Sequence, residues 1–246
     1  MHNPTISIIT VSFNSLEGLK KTRESVLDQE SQDVEHVIVD GGSTDGSIEY
    51  IKTQKKSSDV IKVEPDEGIY DAMNKGAVLA NGEWLMFLNA GDVFTSRETL
   101  KQLKGHLKNA SCRMLYGPHR LVKAESATLL RPKHFTFFNL IFWGTRTANH
   151  QSILVRKKYF ISYNLKLQLK GELDWYFNIV KRYPSDSIFK SDIPIVDYEL
   201  GGVSDQRIVQ NLREQVRVLY NHAGLLSIIG LPILLLRYFN AKFSHQ

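Results

Sequence analysis

Three times in the first 92 residues a strand-length apolar run ends on a polar or acidic side chain, with a helix-length segment before the next run. Ile6–Val11 leads into Ser12 and Asn14, Val37–Val39 into Asp40, and Trp84–Leu88 into Asn89 and Asp92. Runs of this kind suit strands covered on both faces. The alternation predicts an α/β fold, a Rossmann-like and mainly parallel sheet flanked by helices and joined by right-handed crossovers. Such sheets bind ligands in the crevice beyond the strand ends, where the polar residues here are concentrated.

The segments between the runs read as helices. Leu16–Gln29 carries Leu16, Leu19, Val26 and Leu27 on one helical face. After Val34–Asp40, Gly41-Gly42 supplies a turn, and Ser43 or Thr44 is expected to cap a helix through Lys55. Ile61–Glu64 is a short strand; from Ile69 a helix with Ala72, Met73, Gly76, Ala77 and Leu79 closes at Asn81-Gly82. Beyond Asp92 the pattern loosens. Glu98–Lys108 reads as a helix, Met114–Tyr116 and His119–Val122 as strands, and Pro132–Thr147 as an aromatic-rich loop. A helical stripe at Leu173–Val180, a strand at Ile193–Tyr198 and a charged helix at Asp205–His222 follow.

With 246 residues, 42% of them hydrophobic, the chain is expected to build one large core with a C-terminal appendage. A single cysteine, Cys112, excludes an internal disulfide framework and a thiolate metal cage, fits a reducing compartment, and reads as core filling. MHNPTISIITVSF lacks the basic region, long apolar stretch and cleavage site of an export signal, so no export is expected. The net charge of +5 comes from dispersed clusters such as Lys55-Lys56, Arg156-Lys157-Lys158 and Lys181-Arg182, without interleaved aromatics. Nucleic acid is therefore not an expected partner; an anionic membrane surface or a phosphorylated ligand is.

Asp40 ends a strand ahead of two glycines, where its carboxylate is expected to accept hydrogen bonds from a base or ribose. The competing reading makes it a loop organiser, since Asp also fixes turns. Asp45, in the first turn of the next helix, reads as a cap. Asp66 and Asn74 bracket the start of the third helix, Gly68 admits a ligand to the backbone, and Lys75 is placed to meet a diphosphate. Asn89 and Asp92 end the fourth strand, where Mg2+ or Mn2+ would need few protein oxygens if substrate and water complete its shell. Asp92 is the expected metal ligand.

Taken together, SIITVSFN (7–14), VDGGSTDGS (39–47), EPDEGIYDAMNKG (64–76), FLNAGD (87–92), NHQS (149–152), ELD (172–174) and GGVS (201–204) resemble family 2 glycosyltransferases. Among these the resemblance is to the small bacterial enzymes of colanic acid and O-antigen type polysaccharide assembly. It covers residues 5–205 and implies a GT-A fold, a nucleotide-diphosphate sugar donor, a divalent metal and inversion by direct displacement. Residues 1–92 then form the donor half, 93–205 the acceptor half, and 206–246 a helical tail. The resemblance carries nucleoside binding to Asp40 and Asp66, and Ser12, Asn14, Asn74, Lys75 and Asn89 complete the expected donor site. It carries the metal to Asp92 and the catalytic base to Asp174, with Glu172 as the base if the alignment shifts by two residues. His150 and Gln151 match an acceptor-site pair, and Trp175 is expected to stack on a sugar unless it packs in the core. Asp40, Asp66, Asp92 and Asp174 should then converge on one sugar. Two departures from the family pattern stand out: Asp40-Gly41 replaces paired aspartates, and Asn89-Ala90-Gly91-Asp92 replaces an Asp-x-Asp or Asp-Asp pair.

Ala223–Leu236 is uncharged but too short to cross a bilayer comfortably, and Arg213, Arg217, Arg237 and Lys242 flank it. Interfacial binding suits an enzyme that extends a saccharide on a polyprenyl diphosphate at the cytoplasmic face of the inner membrane. Two other functions fit the pattern less well. A sugar nucleotidyltransferase needs a glycine- and lysine-rich triphosphate loop near the N-terminus, which is missing; a non-catalytic saccharide-binding or assembly subunit is kept open by Asn89 and Gly91. No G-x-G-x-x-G follows the first strand, which sets a dinucleotide dehydrogenase aside.

Overall fold

A computed structural model describes residues 5–31, 33–123, 126–199 and 207–230. Its main sheet has seven strands in the order β10-β6-β9-β4-β1-β2-β3. They are β1 (Ile6–Ser12), β2 (Val34–Asp40), β3 (Asp59–Val63), β4 (Trp84–Phe87), β6 (Met114–Tyr116), β9 (Ile153–Arg156) and β10 (Ile188–Lys190). The strands β3, β2, β1 and β4 are mutually parallel, and β9 runs antiparallel between β4 and β6. Ser12 lies opposite Asp40 and Ile9 opposite Phe87, so the first, second and fourth strands open their C-terminal ends at one edge. A second sheet, in the order β5-β11-β7-β8, joins β5 (Val93–Phe94), β11 (Val196–Glu199), β7 (His119–Lys123) and β8 (Ser126–Leu130).

Period-two alternation sends successive side chains of β1 to opposite faces. Ile9 and Val11 enter one core with α3 (Ile69–Leu79), α5 (Phe137–Trp143) and α6 (Gly171–Arg182). Ile6 and Ile8 enter the other, with Leu100, Leu103 and Leu107 of α4 (Thr99–Leu107) and with Cys112. Burial pushes that thiol up to about 11, as befits core filling. The remaining helices are α1 (Leu16–Leu27), α2 (Ser47–Thr53) and α7 (Ile208–Ala223), after which residues 224–226 form a 3-10 turn.

Several sequence expectations change. Pro132–Thr147 is not a loop: Thr136 caps α5 by accepting the Asn139 amide at 3.2 Å, and a 3-10 turn spans Gly144–Thr147. Neither Ser43 nor Thr44 caps α2. Asp45 does the work for two helices, accepting the Leu16 amide of α1 at 2.8 Å and the Ser47 amide and hydroxyl of α2 at 3.1 and 2.6 Å. The strands β5, β8, β9 and β10 have no counterpart in the sequence reading. Among the described residues no helix is long and apolar enough to cross a membrane. The Gly201–Ser204 turn and the apolar run beyond Gly230 lie outside the described residues.

Candidate active site

The loops after β1 and β2 are stitched to each other before any ligand is considered. Asn14 adopts a left-handed backbone (φ 48°), which its short amide side chain tolerates. Its Oδ1 accepts the Thr44 amide at 2.8 Å, and its own amide donates to Ser43 Oγ at 2.8 Å. Asp40 is fully buried. Its Oδ1 accepts the amides of Gly42 (3.0 Å) and Ser43 (2.7 Å), and its Oδ2 accepts the Ser43 hydroxyl at 2.8 Å. The carboxylate therefore organises its own loop.

Asp66 comes directly over that loop. A Cβ placed on Gly41 would stand 2.4 Å from Asp66 Oδ2 and 3.3 Å from Phe13 Cδ2, so glycine leaves room for a carboxylate and a ring. Phe13 is 63% exposed, although it follows a buried strand. Asp66 Oδ1 accepts the Gly68 amide at 2.9 Å, leaving Oδ2 toward Gly41. Asn74 is engaged elsewhere: its amide group pairs both ways with the backbone of Tyr163, at 3.0 and 2.8 Å. Lys75 is held by Asp71 (2.8 Å), Glu64 (3.4 Å) and the Pro65 carbonyl (3.0 Å). Both residues brace the surroundings of α3 in this structure.

The loop after β4 is held from two sides. Thr22 of α1 donates to the carbonyls of Asn89 and Asp92 at 3.1 and 2.7 Å and accepts the Gly91 amide at 2.9 Å. From the acceptor side, buried Gln151 accepts the Asn89 amide at 2.8 Å. Gln151 is thus a latch on this loop. Among the described residues, the buried polar atoms without a hydrogen-bond partner include Ser12 Oγ, Asn89 Oδ1, His150 Nε2 and Ser152 Oγ. With the buried Asp92 carboxylate, Asn89 Oδ1 offers oxygen donors of the kind a hard cation takes. Among the described residues no group of three His, Cys, Asp or Glu could hold a metal. The donor set fits a cation that arrives with a diphosphate and keeps waters, not one held by protein alone.

The first turn of α6 carries two carboxylates, and a separation of two residues turns them about 200° apart around the helix. Glu172 meets α3. Its Oε2 accepts the phenol of Tyr70 on α3, and a Cβ on neighbouring Gly171 would lie 2.7 Å from the Tyr70 ring. Burial and then the Glu172 charge raise the Tyr70 phenol well above its ordinary value; the same two causes raise Tyr163 and Tyr176. Burial lowers the His150 imidazole, and the Glu172 charge opposes that shift. Glu172 therefore contacts Tyr70, and its charge is felt at His150, Tyr163 and Tyr176.

Asp174 faces away. Its Oδ1 meets His222 Nε2 of α7 at 2.8 Å, and its Oδ2 accepts Asn178 Nδ2 at 3.2 Å. His222 stacks on Phe177, with centroids 4.8 Å apart and planes 11° apart. Of the four aspartates expected to converge, Asp174 is the one held by α7 in this structure. Trp175 is also corrected. Only 3% exposed, it donates to the Ile161 carbonyl at 2.7 Å and packs beside Phe160, Tyr163 and Tyr176, with no face free for a sugar. The sequence reading missed Phe13, Tyr70 and Thr22 as site residues. An aromatic between two polar loop residues was the available signal for the first.

Residues 7–167 match the sequence profile described as Glycosyl transferase family 2. The chain belongs to that family. A PGL/p-HBAD biosynthesis glycosyltransferase of Mycobacterium bovis is 32% identical over 186 residues, covering 73% of this chain and 70% of that protein. An uncharacterized glycosyltransferase of Mycobacterium tuberculosis is 41% identical over 100 residues, which are 40% of this chain and 38% of that relative, well under half its length. Among solved structures, S. aureus TarS in complex with UDP has a TM-score of 0.67 at 17% identity, over 98% of this chain and 72% of that one. Glucosyl-3-phosphoglycerate synthase from Mycobacterium tuberculosis, in complex with Mn2+, UDP and glucosyl-3-phosphoglycerate, has a TM-score of 0.64 at 13% identity, over 90% and 80% of the two chains. These likenesses establish the GT-A fold. The family profile ends at residue 167, so this family 2 chain carries Glu172 and Asp174 beyond the matched segment.

Proposed function

We propose that the chain transfers a sugar from a nucleotide-diphosphate donor, with UDP-sugars the first to test, to a saccharide carried on a polyprenyl diphosphate. The product serves bacterial cell-surface polysaccharide, and the anomeric centre inverts. The observation that carries this reading is the setting of Glu172: a carboxylate at a helix start, oriented by the phenol of Tyr70.

In this reading the nucleoside lies on the Asp40–Ser43 loop, with Asp66 and Ser12 as polar contacts, Asn14 as the support of that loop, and exposed Phe13 as a stacking face for the base. Tyr70 occupies Glu172 Oε2, which leaves Oε1 for the acceptor hydroxyl. That hydroxyl oxygen bonds to the anomeric carbon from the face opposite the diphosphate while its proton passes to Glu172. The bond from the anomeric carbon to the diphosphate oxygen breaks, and its electron pair leaves on the diphosphate. Asp92 and Asn89 are the residues that would hold a divalent metal, whose chemistry when bound is to neutralise that leaving charge. His150 borders the acceptor side, with Gln151 holding the loop that carries Asn89. A location at the cytoplasmic face of the inner membrane belongs to the same reading.

The test is a donor screen by thermal shift with manganese present, followed by product analysis with membranes that bear lipid-linked saccharide. A UDP-sugar is expected to raise the melting temperature by mass action and to yield nucleoside diphosphate. Pyrophosphate as product, or donor binding without transfer to any acceptor, would remove the proposal.

A further inference from the structure

Two segments far apart in sequence bring acid-free surfaces together. On α7, Arg213, Val216, Arg217 and Tyr220 recur at the spacing of one helical face and are all exposed, Tyr220 by 62%. The chain then presents Leu225, exposed by 78%, with Leu226, Ile228 and Ile229. From α5 come Phe138, exposed by 61%, and Trp143, whose ring carries the Lys133 ammonium 4.7 Å from its centroid. The segments adjoin. A Cβ on Gly144 would stand 2.7 Å from Gln215 Nε2 of α7, and one on Gly230 would stand 2.6 Å from the Ile141 carbonyl oxygen of α5.

Charge selects the occupant. No acidic residue occurs from Arg131 to Asn149, and none after Glu214 to the last residue. Glu214 itself turns inward, accepting the amides of Gln168, Leu169 and Lys170 at 2.8–3.2 Å. A second copy related by a twofold axis would set Arg213, Arg217 and Lys133 against a face with the same charges. Aromatic and aliphatic side chains projecting among cations are instead the composition of a surface that enters the lipid headgroup region. We propose that α5, α7 and residues 224–230 form one composite docking surface for an anionic phospholipid bilayer.

This rests on the glycosyltransferase reading only for its purpose, which is to bring a lipid-linked acceptor to Glu172. The helix α6, which begins beside Glu172, meets both halves of the surface. Lys181 of α6 donates to the His222 carbonyl at 3.0 Å and lies 5.8 Å from the Phe137 ring centroid. The acceptor base therefore sits on the same helix that braces the docking face.

The experiment is co-sedimentation of the full chain with vesicles of phosphatidylcholine alone or mixed with phosphatidylglycerol. Wild type is expected to bind the anionic vesicles at least about tenfold more strongly, and less so as salt rises. Arg213→Gln with Arg217→Gln should weaken binding about thirtyfold, at about fivefold per cation. Phe138→Ser with Trp143→Ser should weaken it about tenfold through lost apolar insertion. Both pairs lie on the surface, and unchanged melting temperatures will show that they fold. Undiminished binding by the aromatic pair would leave the C-terminal segment as sole anchor and overturn the composite surface. Equal binding to both vesicle types, or self-association that these pairs abolish, would overturn it too. Donor hydrolysis in solution separates the two ideas: its absence from wild type counts against the catalytic reading, while the vesicle results alone decide the surface.

Discussion

Tyr70 joins the two sides of the crevice at the level of single atoms. It lies four residues after Asp66, its phenol donates to Glu172, and its ring fills the space that a side chain at Gly171 would need. Tyr70→Phe keeps the ring and removes one hydrogen bond to a carboxylate, an interaction of about 1.5–3 kcal/mol. The expected result is a kcat lower by about 10- to 100-fold with KM for the donor nearly unchanged, beside a melting temperature lower by several degrees. A raised donor KM with intact kcat would instead make Tyr70 a binding residue. The same neighbourhood shows what sequence alone leaves open. Glu172 and Asp174 are both acidic, both in the first turn of α6 and both within ELD, so spacing does not separate them. The fold distinguishes them by their partners, Tyr70 for Glu172 and His222, 48 residues away in the chain, for Asp174. Asp40 was legible as a strand-end carboxylate and Asp66 as one ahead of a helix, but the hydrogen bonds that turn Asp40 toward its own loop were not.

Elements were legible where they carry their own pattern and hidden where a partner creates them. β1, β2 and β4 are buried on both faces and stand out as apolar runs. β8 is exposed along its whole length and exists because it pairs with β7, so it has no alternation to detect. β9 is four residues long and gains its place from antiparallel neighbours on both sides. α5 is nearly all apolar, which erases the helical period and leaves an aromatic run that reads as a loop. Packing of α1 on β2 and β3 has its own chemistry. His36 of β2 is buried with its Nε2 2.9 Å from Thr10 Oγ1, near the buried Arg23–Asp59 pair at 2.6 Å. Burial first, then the Arg23 charge, lowers its pKa to about 3, with Asp59 opposing. The unfolded chain accepts that proton near pH 6.5 and the folded one refuses it, so His36 stability is complete above about 6.5 and is lost as pH falls toward about 3. Between pH 6.5 and 5 the wild type should lose about 2 kcal/mol more than His36→Gln in urea denaturation. Equal losses would place the titration elsewhere.

On the scale of the whole molecule, the alternation of runs and helices was enough to specify the α/β class and the edge at which function gathers. The division between a donor half and an acceptor half is less sharp in the fold, because β9 from the second inserts beside β4 of the first in one sheet. That shared sheet lets Gln151 reach the Asn89 amide, and it sets His150 near the donor loops. The tail's sequence raised interfacial binding as an expectation, but the α5 part of the proposed surface was not legible there, since α5 meets residues 207–230 only in three dimensions. The central claim is that Glu172, and not Asp174, takes the acceptor proton. Its most direct test is the kcat for nucleoside diphosphate release with lipid-linked acceptor, measured beside donor affinity for Glu172→Gln and Asp174→Asn. A fall of about 100- to 10,000-fold in the first with donor binding retained, against a change within about threefold in the second, is the predicted result; the opposite order would contradict it.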